Sequence, residues 1–230
     1  MNGWEDSADA WEHGDRGRQF ILDPALNKLL EGRGFKNALD VGCGEGRMCR
    51  FLQRFGTKTT GIDPTSKLLE RARDLDSNGH YVEGFAEKLP FGNSEFDLVL
   101  SCMSLIDIPD YHNAIKEMVR VLKPNGNLVI ANLTAMNTAG NGLGWQFGDD
   151  GKTKYYALDN YMAERSGWEN WRGIRIKNHH RPLSAYMQVF IEAGLTLRHF
   201  EEPIPIGGPA QWAAHYARMP WYLIMEWQRP

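Results

Sequence analysis

The sequence predicts an α/β fold in which a mostly parallel sheet carries helices on both faces. Short apolar runs, typical of parallel strands covered on both sides, alternate with segments whose apolar residues recur at helical spacing. A glycine-rich turn, Gly42 to Gly46, follows the first run. In open α/β sheets such a turn lies at the edge where ligands bind.

The predicted strands are short apolar segments bounded by glycine, proline or charge, at 38–41, 59–62, 96–100, 128–131, 195–200 and 221–227. Helices are predicted between them, since Met48, Phe51 and Leu52 follow the i, i+3, i+4 pattern of one helical face. Further helices are predicted at 21–30, before the first strand, and at 183–193, before the last two.

The regular alternation stops after Leu133. Residues 134–182 are rich in glycine and aromatic side chains, and within them only 157–168 has a helical pattern. We interpret 134–182 as a cap insertion over the substrate cleft, because long segments between core elements are often functional. A surface elaboration without a role in binding is the alternative. Residues 1–34 are expected to form an N-terminal helical lid, and 1–230 a single domain.

Composition excludes several classes of protein. The net charge is −3 and 42% of the residues are hydrophobic, which is typical of a globular protein and unlike one that grips nucleic acid. We therefore expect no nucleic-acid partner. Apolar runs are too short to span a membrane, and the acidic N-terminus lacks a signal-peptide centre. The three cysteines match no zinc spacing, so we expect no metal, reduced thiols and a cytoplasmic location.

The glycine turn differs from the phosphate-binding turn of dinucleotide enzymes. Its spacing is Gly-x-Gly-x-Gly, and Asp40 stands just before it. A carboxylate there would repel a pyrophosphate, whereas it suits a ligand that carries ammonium and sulfonium charge. Asp63 ends the second strand, where an acid accepts both hydroxyls of a ribose.

Five motifs in this order resemble class I S-adenosylmethionine-dependent methyltransferases. They are ALDVGCGEGR, TTGIDPTSKLLERAR, GFAEKLPF, FDLVLSCMSLIDIPD and MVRVLKPNGNLVIA, and they cover residues 35–133. The tail, HHRPLSAYMQVFIEAGL and MPWYLIMEWQRP, resembles the last helix and strands of small-molecule members. The resemblance implies a Rossmann-like sheet of seven strands, S-adenosylmethionine as cofactor and S-adenosylhomocysteine as product.

The resemblance also implies which residues contact the cofactor. They would be Asp40, Gly42, Gly44, Gly46, Asp63, Pro64, Leu68, Phe85, Ala86, Ser101, Met103 and, from the lid, Trp11. Phe85 departs from the family pattern, in which an aspartate hydrogen-bonds the adenine amine. An aromatic ring cannot accept that bond, although it can pack on the adenine. Plain core packing of Phe85 is the alternative.

Methyl transfer from a sulfonium is an in-line displacement, so the protein mainly has to orient the acceptor and exclude water. A general base is needed only if the acceptor must lose a proton. Among Asp107, His112, His179 and His180 we favour Asp107 and His180. The alternatives are that Asp107 caps the helix that begins near Pro109, and that the histidines are capping or exposed.

The cap contains several aromatic residues that favour a flat acceptor, and we expect Trp145, Tyr161, Trp168 and Trp171 to contact the substrate. The predicted acceptor is a small, aromatic or heterocyclic metabolite. The oligomeric state stays open.

Four other functions are compatible with parts of this sequence. A non-catalytic protein that binds the cofactor as a sensor or partner module would keep the same glycine loop and acids. An NAD(P)-dependent oxidoreductase is disfavoured by the loop spacing, and a nucleic-acid methyltransferase by the charge balance. Aminopropyl transfer would need more acids than Asp107 and Asp110.

Overall fold

The computed structural model describes residues 3–10 and 15–230. The strands in this part of the chain are β1 Asn37–Val41, β2 Lys58–Asp63, β3 His80–Glu83, β4 Phe96–Cys102, β5 Leu122–Leu133, β6 Gly144–Phe147, β7 Thr153–Ala157, β8 Arg165–Trp171, β9 Ile174–His180, β10 Thr196–Glu201 and β11 Tyr222–Gln228. The α-helices are α1 Trp4–Ser7, α2 Asp23–Leu30, α3 Arg47–Gln53, α4 Ser66–Leu75, α5 Tyr111–Val121, α6 Ala135–Ala139, α7 Leu183–Glu192 and α8 Ala210–Tyr216. A 3₁₀ turn, Ala8–Ala10, follows α1, and a π-helical segment, Arg18–Leu22, runs into α2.

Seven of the strands form one sheet in the order β10-β11-β5-β4-β1-β2-β3. The neighbours from β5 to β3 are parallel, and β11 is antiparallel to both β5 and β10. The predicted mostly parallel, seven-stranded sheet is confirmed. Chain order reverses between β1 and β4, so ligands are expected beyond the carboxyl ends of these two strands.

Helices cover both faces of the sheet because the central strands, such as β1, β4 and β11, are buried on both sides. On one face, Phe190 of α7 stacks on Trp227 of β11 with 5.0 Å between ring centroids, and both are fully buried. On the other face, Leu22 and Leu26 of the segment entering and forming α2 pack against Leu98 and Leu100 of β4. The sheet therefore provides a rigid edge on which the site is built.

The predicted helix at 157–168 is wrong. This part of the chain is a loop followed by β8, which pairs with β9 in a hairpin. Asn160 adopts a left-handed conformation, with φ of 51°, which a helix does not tolerate in its interior. The two hairpin strands are joined by Arg172 and Gly173, both with positive φ, as tight two-residue hairpin turns require.

Outside residues 134–182, two short elements escaped the sequence prediction. Strand β3 is a four-residue edge strand with one buried residue, and α8 contains no buried residue. Both therefore lack the apolar periodicity on which such predictions depend. In residues 3–10 and 15–230, no helix is long and apolar enough to cross a membrane, and no group of three or more His, Cys, Asp or Glu could hold a metal ion.

We expect Phe190→Ala to lower the free energy of unfolding by about 3–5 kcal/mol, because it removes a fully buried ring and leaves a cavity beside Trp227. Urea unfolding followed by circular dichroism measures the change. Phe200→Ala is the matched control, since this ring is 40% exposed and should cost far less. Equal losses in the two variants would contradict the assignment of the core.

Candidate active site

A cavity of about 940 Å³ lies beyond the carboxyl ends of β1, β2 and β4. This volume is near the upper end of the range of about 300–1,000 Å³ for small-molecule sites. Its walls come from the loops that follow these strands and β3, and from α1 and β9. The predicted cofactor residues that line it are Asp40, Gly42, Gly44, Asp63, Pro64, Leu68, Phe85, Ala86 and Met103.

All three glycines of the loop have positive φ, but each position requires glycine for a different structural reason. A Cβ at Gly42 would overlap the side chain of Ser104, and a Cβ at Gly46 would overlap the ring of Tyr81. Gly46 lies behind the cavity wall rather than on it. A Cβ at Gly44 would meet only a leucine methyl at 3.8 Å, so this glycine keeps space open for a ligand.

Asp40 is a buried carboxylate without a full set of partners. Its Oδ1 has no hydrogen-bond partner among the described residues, and its Oδ2 accepts a weak bond from the Cys49 thiol at 3.8 Å. Burial raises the pKa of Asp40 to about 7, and the nearby Asp63 adds to this, whereas Arg47 opposes it. A ligand cation placed here would stabilise the ionised carboxylate.

Asp63 is held by the backbone of two loops. Its Oδ2 accepts from the N–H of Gly44 and its Oδ1 from the N–H of Thr65, both at 2.9 Å. Burial raises the pKa of Asp63, although these hydrogen bonds oppose the shift. The carboxylate is therefore fixed in one orientation at the cavity wall, as the recognition of a pair of vicinal hydroxyls requires.

Two arginines on the cavity wall, Arg18 and Arg47, were missed by the sequence analysis. Arg47 donates to Asp23 at 2.6 Å and to the Cys102 sulfur at 3.8 Å. Burial and the neighbouring Arg47 lower the pKa of Arg18. The available signal for Arg47 was its position directly after the glycine loop. Arg18 reaches the site only through the packing of the π-helical segment that runs into α2.

These charges fit S-adenosylmethionine. The incomplete partners of Asp40 match a cationic group, the fixed carboxylate of Asp63 matches a ribose, and the two guanidinium groups match a carboxylate. The space beside Gly44 admits the ligand to the backbone. The residues present would therefore hold the amino-acid end and the sugar of this cofactor.

Phe85 lies on the cavity wall and is 65% exposed, so the alternative of plain core packing is wrong. Pro64, Leu68 and Ala86 line the cavity with it. An exposed ring among apolar neighbours is available to pack on a flat, aromatic part of a ligand.

Two predicted cofactor residues, Gly46 and Ser101, do not line the cavity, and Trp11 lies outside the described residues. Ser101 is fully buried. Its hydroxyl lies 2.7 Å from the hydroxyl of Ser104, which donates to the carbonyl of Val41 at 2.6 Å. Ser101 therefore supports the loop around Gly42 from below.

Asp107 is buried in the cavity wall between two neutral donors. The indole N–H of Trp4 donates to its Oδ2 at 2.8 Å, and the side-chain amide of Asn178 donates to its Oδ1. Burial raises the pKa of Asp107 to about 7, although both donors oppose the shift. Helix α5 is capped by Asp110, which accepts from the N–H of Asn113, so the capping alternative for Asp107 is wrong.

His180 does not line the cavity, contrary to the expectation. It is the last residue of β9, where alternate side chains point to opposite faces. Its ring is buried between Thr138, 2.7 Å from Nδ1, and the carbonyl of Tyr161, 2.8 Å from Nε2. The neighbouring His179 lines the cavity instead. Burial, Arg181 and Lys177 lower the pKa of His179 to about 4.

The four aromatic residues predicted to contact substrate also lie off the cavity. Trp145 packs against α8, and the hydroxyl of Tyr161 accepts from the backbone at the start of α7. Trp168 lies under the guanidinium of Arg175 at 4.1 Å, and Trp171 is 40% exposed at the end of the hairpin. The four rings therefore pack on neighbouring elements or lie at the surface, away from the cavity.

The N-terminal segment closes one side of the cavity by joining strand β9. The hydroxyl of Ser7 accepts from the N–H of Arg175 at 2.9 Å and lies 3.2 Å from its carbonyl. Trp4 and Glu5 face the cavity from this segment. The only part of the cap that reaches the cavity is the same strand, through Lys177 and His179.

We expect Gly44→Ala to fold with a loss of about 1–2 kcal/mol, because its left-handed backbone becomes strained without any overlap. Its methyl group would enter the cavity, so calorimetry should find at least tenfold weaker binding of S-adenosylhomocysteine. Gly42→Ala is the comparison, since overlap with Ser104 should destabilise the fold itself. A Gly44→Ala protein with unchanged affinity would contradict the assigned role of this glycine.

We expect cofactor binding to release a proton from Asp40. Its pKa of about 7 leaves it largely protonated at pH 6, where an amino-acid ammonium is fully charged. The bound ammonium lowers this pKa, so up to about one proton should leave, and affinity should rise between about pH 5 and 7. Calorimetry with S-adenosylhomocysteine in two buffers of different ionisation enthalpy measures it. Asp40→Asn should bind more weakly and release none, and equal proton release in both proteins would refute the assignment.

Comparison with known proteins agrees with this geometry. A family profile described as "Methyltransferase domain" matches residues 39–130, which contain the glycine loop and Asp63. The malonyl-[acyl-carrier protein] O-methyltransferase of Salmonella typhimurium is 29% identical over 76% of this chain and 68% of its own length. The demethylmenaquinone methyltransferase of Chlorobaculum tepidum is 37% identical, over 43% of this chain and 41% of its own.

The fold comparison covers almost the whole chain. The solved structure of an S-adenosylmethionine-dependent methyltransferase from Mesorhizobium loti superposes with a TM-score of 0.81, at 25% identity, over 94% of this chain and 99% of that one. The motifs, the sheet order, the buried acids and these similarities agree. The chain belongs to the class I S-adenosylmethionine-dependent methyltransferases.

Proposed function

We propose that this methyltransferase acts on a small, flat acceptor, an aromatic or heterocyclic metabolite with a hydroxyl group. The observation that carries the proposal is the extent of the cavity, which continues from the glycine loop to Trp4, Ile108 and Pro109. These apolar side chains form a surface for a flat ring at the end that the cofactor residues do not occupy. The tryptophans of the cap do not contribute to this surface.

Asp107 is the proposed general base. It is the buried carboxylate at the acceptor end of the cavity, and its pKa of about 7 allows it to accept a proton near neutral pH. When bound, the cofactor supplies an activated methyl group on a sulfonium. Asp107 would take the proton of the acceptor hydroxyl as its oxygen bonds to the methyl carbon, whose bond to sulfur would break to leave the neutral thioether of S-adenosylhomocysteine. His179, with its low pKa, is neutral and can accept a hydrogen bond from the same acceptor.

The two flanking segments are proposed to enclose the reaction. Trp4 and Glu5, from the lid at 1–34, and strand β9, from the cap at 134–182, are joined through Ser7 and Arg175 and together cover one side. Such enclosure excludes water from the displacement.

The three cysteines are unpaired thiols, which supports the proposal of a cytoplasmic location.

A carboxylate acceptor is a second candidate, favoured by Lys177. Lys177 lines the cavity, as does the next residue but one, His179, and no ion pair to Lys177 is formed within the described residues. A carboxylate needs no base, because it is already ionised at neutral pH. The relative from Salmonella typhimurium is named malonyl-[acyl-carrier protein] O-methyltransferase.

Binding and transfer test the proposal separately. Calorimetry should find S-adenosylmethionine binding that Asp63→Ala removes, because the ribose loses its fixed carboxylate. Methyl transfer from labelled cofactor is then measured against a panel of phenols, hydroxyl heterocycles and carboxylic acids. Binding without transfer to any phenol or hydroxyl heterocycle would overturn the proposed acceptor class, and transfer to acids alone would establish the second candidate.

We expect Asp107→Asn to lower kcat for a phenolic acceptor by about 10²–10⁴-fold, the usual contribution of a general base. His180→Gln is the matched control, since its side chain can keep one hydrogen bond and does not face the cavity. Initial rates as a function of pH measure the effect. A fall of similar size in both variants would indicate a structural effect and contradict the role of Asp107 as base.

A further inference from the structure

The loop that carries Asp107 is clamped by one arginine from another part of the chain. Arg181 follows β9, and its Nη1 donates to the carbonyl of Leu105 at 3.0 Å. Its Nη2 donates to the carbonyls of Ile108 and Pro109, at 2.6 and 3.1 Å. The three carbonyls lie on both sides of Asp107, so a single planar group fixes the backbone before and after the carboxylate.

Strand β9 adds two more hydrogen bonds to the same loop. The backbone N–H of His179 donates to the carbonyl of Ile106 at 2.8 Å, and the side-chain amide of Asn178 donates to Oδ1 of Asp107. Residues 178–181 therefore hold both the backbone and the side chain of the proposed base.

Burying the guanidinium charge of Arg181 costs free energy, so this residue is an unfavourable choice for holding a loop unless its charge or its planar shape is needed. It is 3% exposed, and no carboxylate lies within ion-pair distance of it in residues 3–10 and 15–230. Its other contacts are neutral: the hydroxyl of Tyr186 at 3.1 Å and the ring of Tyr111, 4.3 Å from the guanidinium carbon. The uncompensated charge therefore acts on nearby groups, and among these is Asp107.

We propose that Arg181 and Asn178 are positioning residues, which hold the loop at 104–110 so that the carboxylate of Asp107 stays at the cavity wall in a fixed orientation. The inference rests on the proposed function for the role of Asp107 as base. A lysine could supply the charge of Arg181, but it could not bridge three carbonyls with one planar fork.

The electrostatics of the loop agree with this role. Arg181 and the amide of Asn178 both favour the ionised form of Asp107 and hold its pKa lower than burial alone would. The titratable and charged groups around this carboxylate come from several elements, and they are Glu5, Asp63, Asp110, Lys177, His179, Arg181 and Tyr186. Since Arg181 and Asn178 oppose the effect of burial, removing either should raise the pKa of Asp107.

The indole of Trp4 reports this titration without any acceptor. Its N–H donates to Oδ2 of Asp107, so its ¹H–¹⁵N resonance should move with pH as Asp107 ionises. The resonance is assigned by its loss in Trp4→Phe, and the full chain is titrated from pH 5 to 9 with saturating S-adenosylhomocysteine. The wild-type midpoint is compared with those of Arg181→Gln and Asn178→Ala, and Arg198→Gln, on the exposed strand β10, is the matched control.

We expect the midpoint to rise by about one unit in Arg181→Gln and in Asn178→Ala, because each loses an interaction with the ionised carboxylate. Affinity for S-adenosylhomocysteine should stay within about twofold, which a general loss of structure would not permit. The control should titrate like the wild type. For an acceptor identified in the panel, kcat should fall in both variants whereas KM for the cofactor stays constant.

An unchanged midpoint in the two variants, or a wild-type Trp4 resonance that does not move between pH 5 and 9, overturns the inference. If Arg181→Gln fails to fold, Asn178→Ala alone decides, and an unchanged midpoint there overturns it equally. The proposed function fails differently, through absence of methyl transfer to the hydroxyl acceptors of the panel, so the two failures are distinguishable.

Discussion

The site is organised around two carboxylates that end adjacent parallel strands inside the protein. Asp40 and Asp63 lie on β1 and β2, whose register pairs Asp40 with Gly61 and brings both acids to the same edge of the sheet. Burial disfavours their charges, and Asp63 adds to the raised pKa of Asp40. The two buried carboxylates are unfavourable in the free protein, and they become favourable when a cation and two hydroxyls reach them.

The surrounding glycines and arginines follow from that constraint. Asp63 is fixed by the N–H of Gly44, which requires the loop after β1 to fold back over the end of β2. The loop achieves this with three left-handed glycines, two of which are packed so closely that no side chain fits. Arg18 and Arg47 add positive charge to the same wall. The free protein solvates these charges poorly, so a ligand that pairs with them gains binding energy.

The acceptor end is built in a different manner. No single motif forms it, because Trp4 comes from the N-terminal segment, Asp107 from the loop after β4, and Asn178 and His179 from the cap. Arg181 joins the cap to the loop after β4 through backbone carbonyls that could belong to any sequence. Such contacts leave no pattern in the sequence, and for this reason the acceptor residues were harder to find than the cofactor residues.

Three errors of prediction have one physical origin. The sequence analysis favours His180 over His179, although only His179 faces the cavity. Which of two successive side chains points to a given face depends on the register of the strand with its partners. The helix predicted at 157–168 is a loop followed by the start of β8, since pairing of β8 with β9 outweighs local helical spacing. Trp145 was expected at the substrate and instead packs against α8. Each outcome is decided by long-range contacts.

The sequence by itself determined the alternating strands and helices, the glycine loop and the acids near the ends of β1 and β2. These features depend on neighbours within a few residues, where apolar periodicity and backbone conformation act directly. Only the tertiary structure decided which face of β9 meets the cavity, which carboxylate is held by Trp4 and Asn178, and where Phe85 lies. The first two depend on packing between segments more than 60 residues apart, as the separations of 71 and 103 residues from Asp107 to Asn178 and Trp4 illustrate.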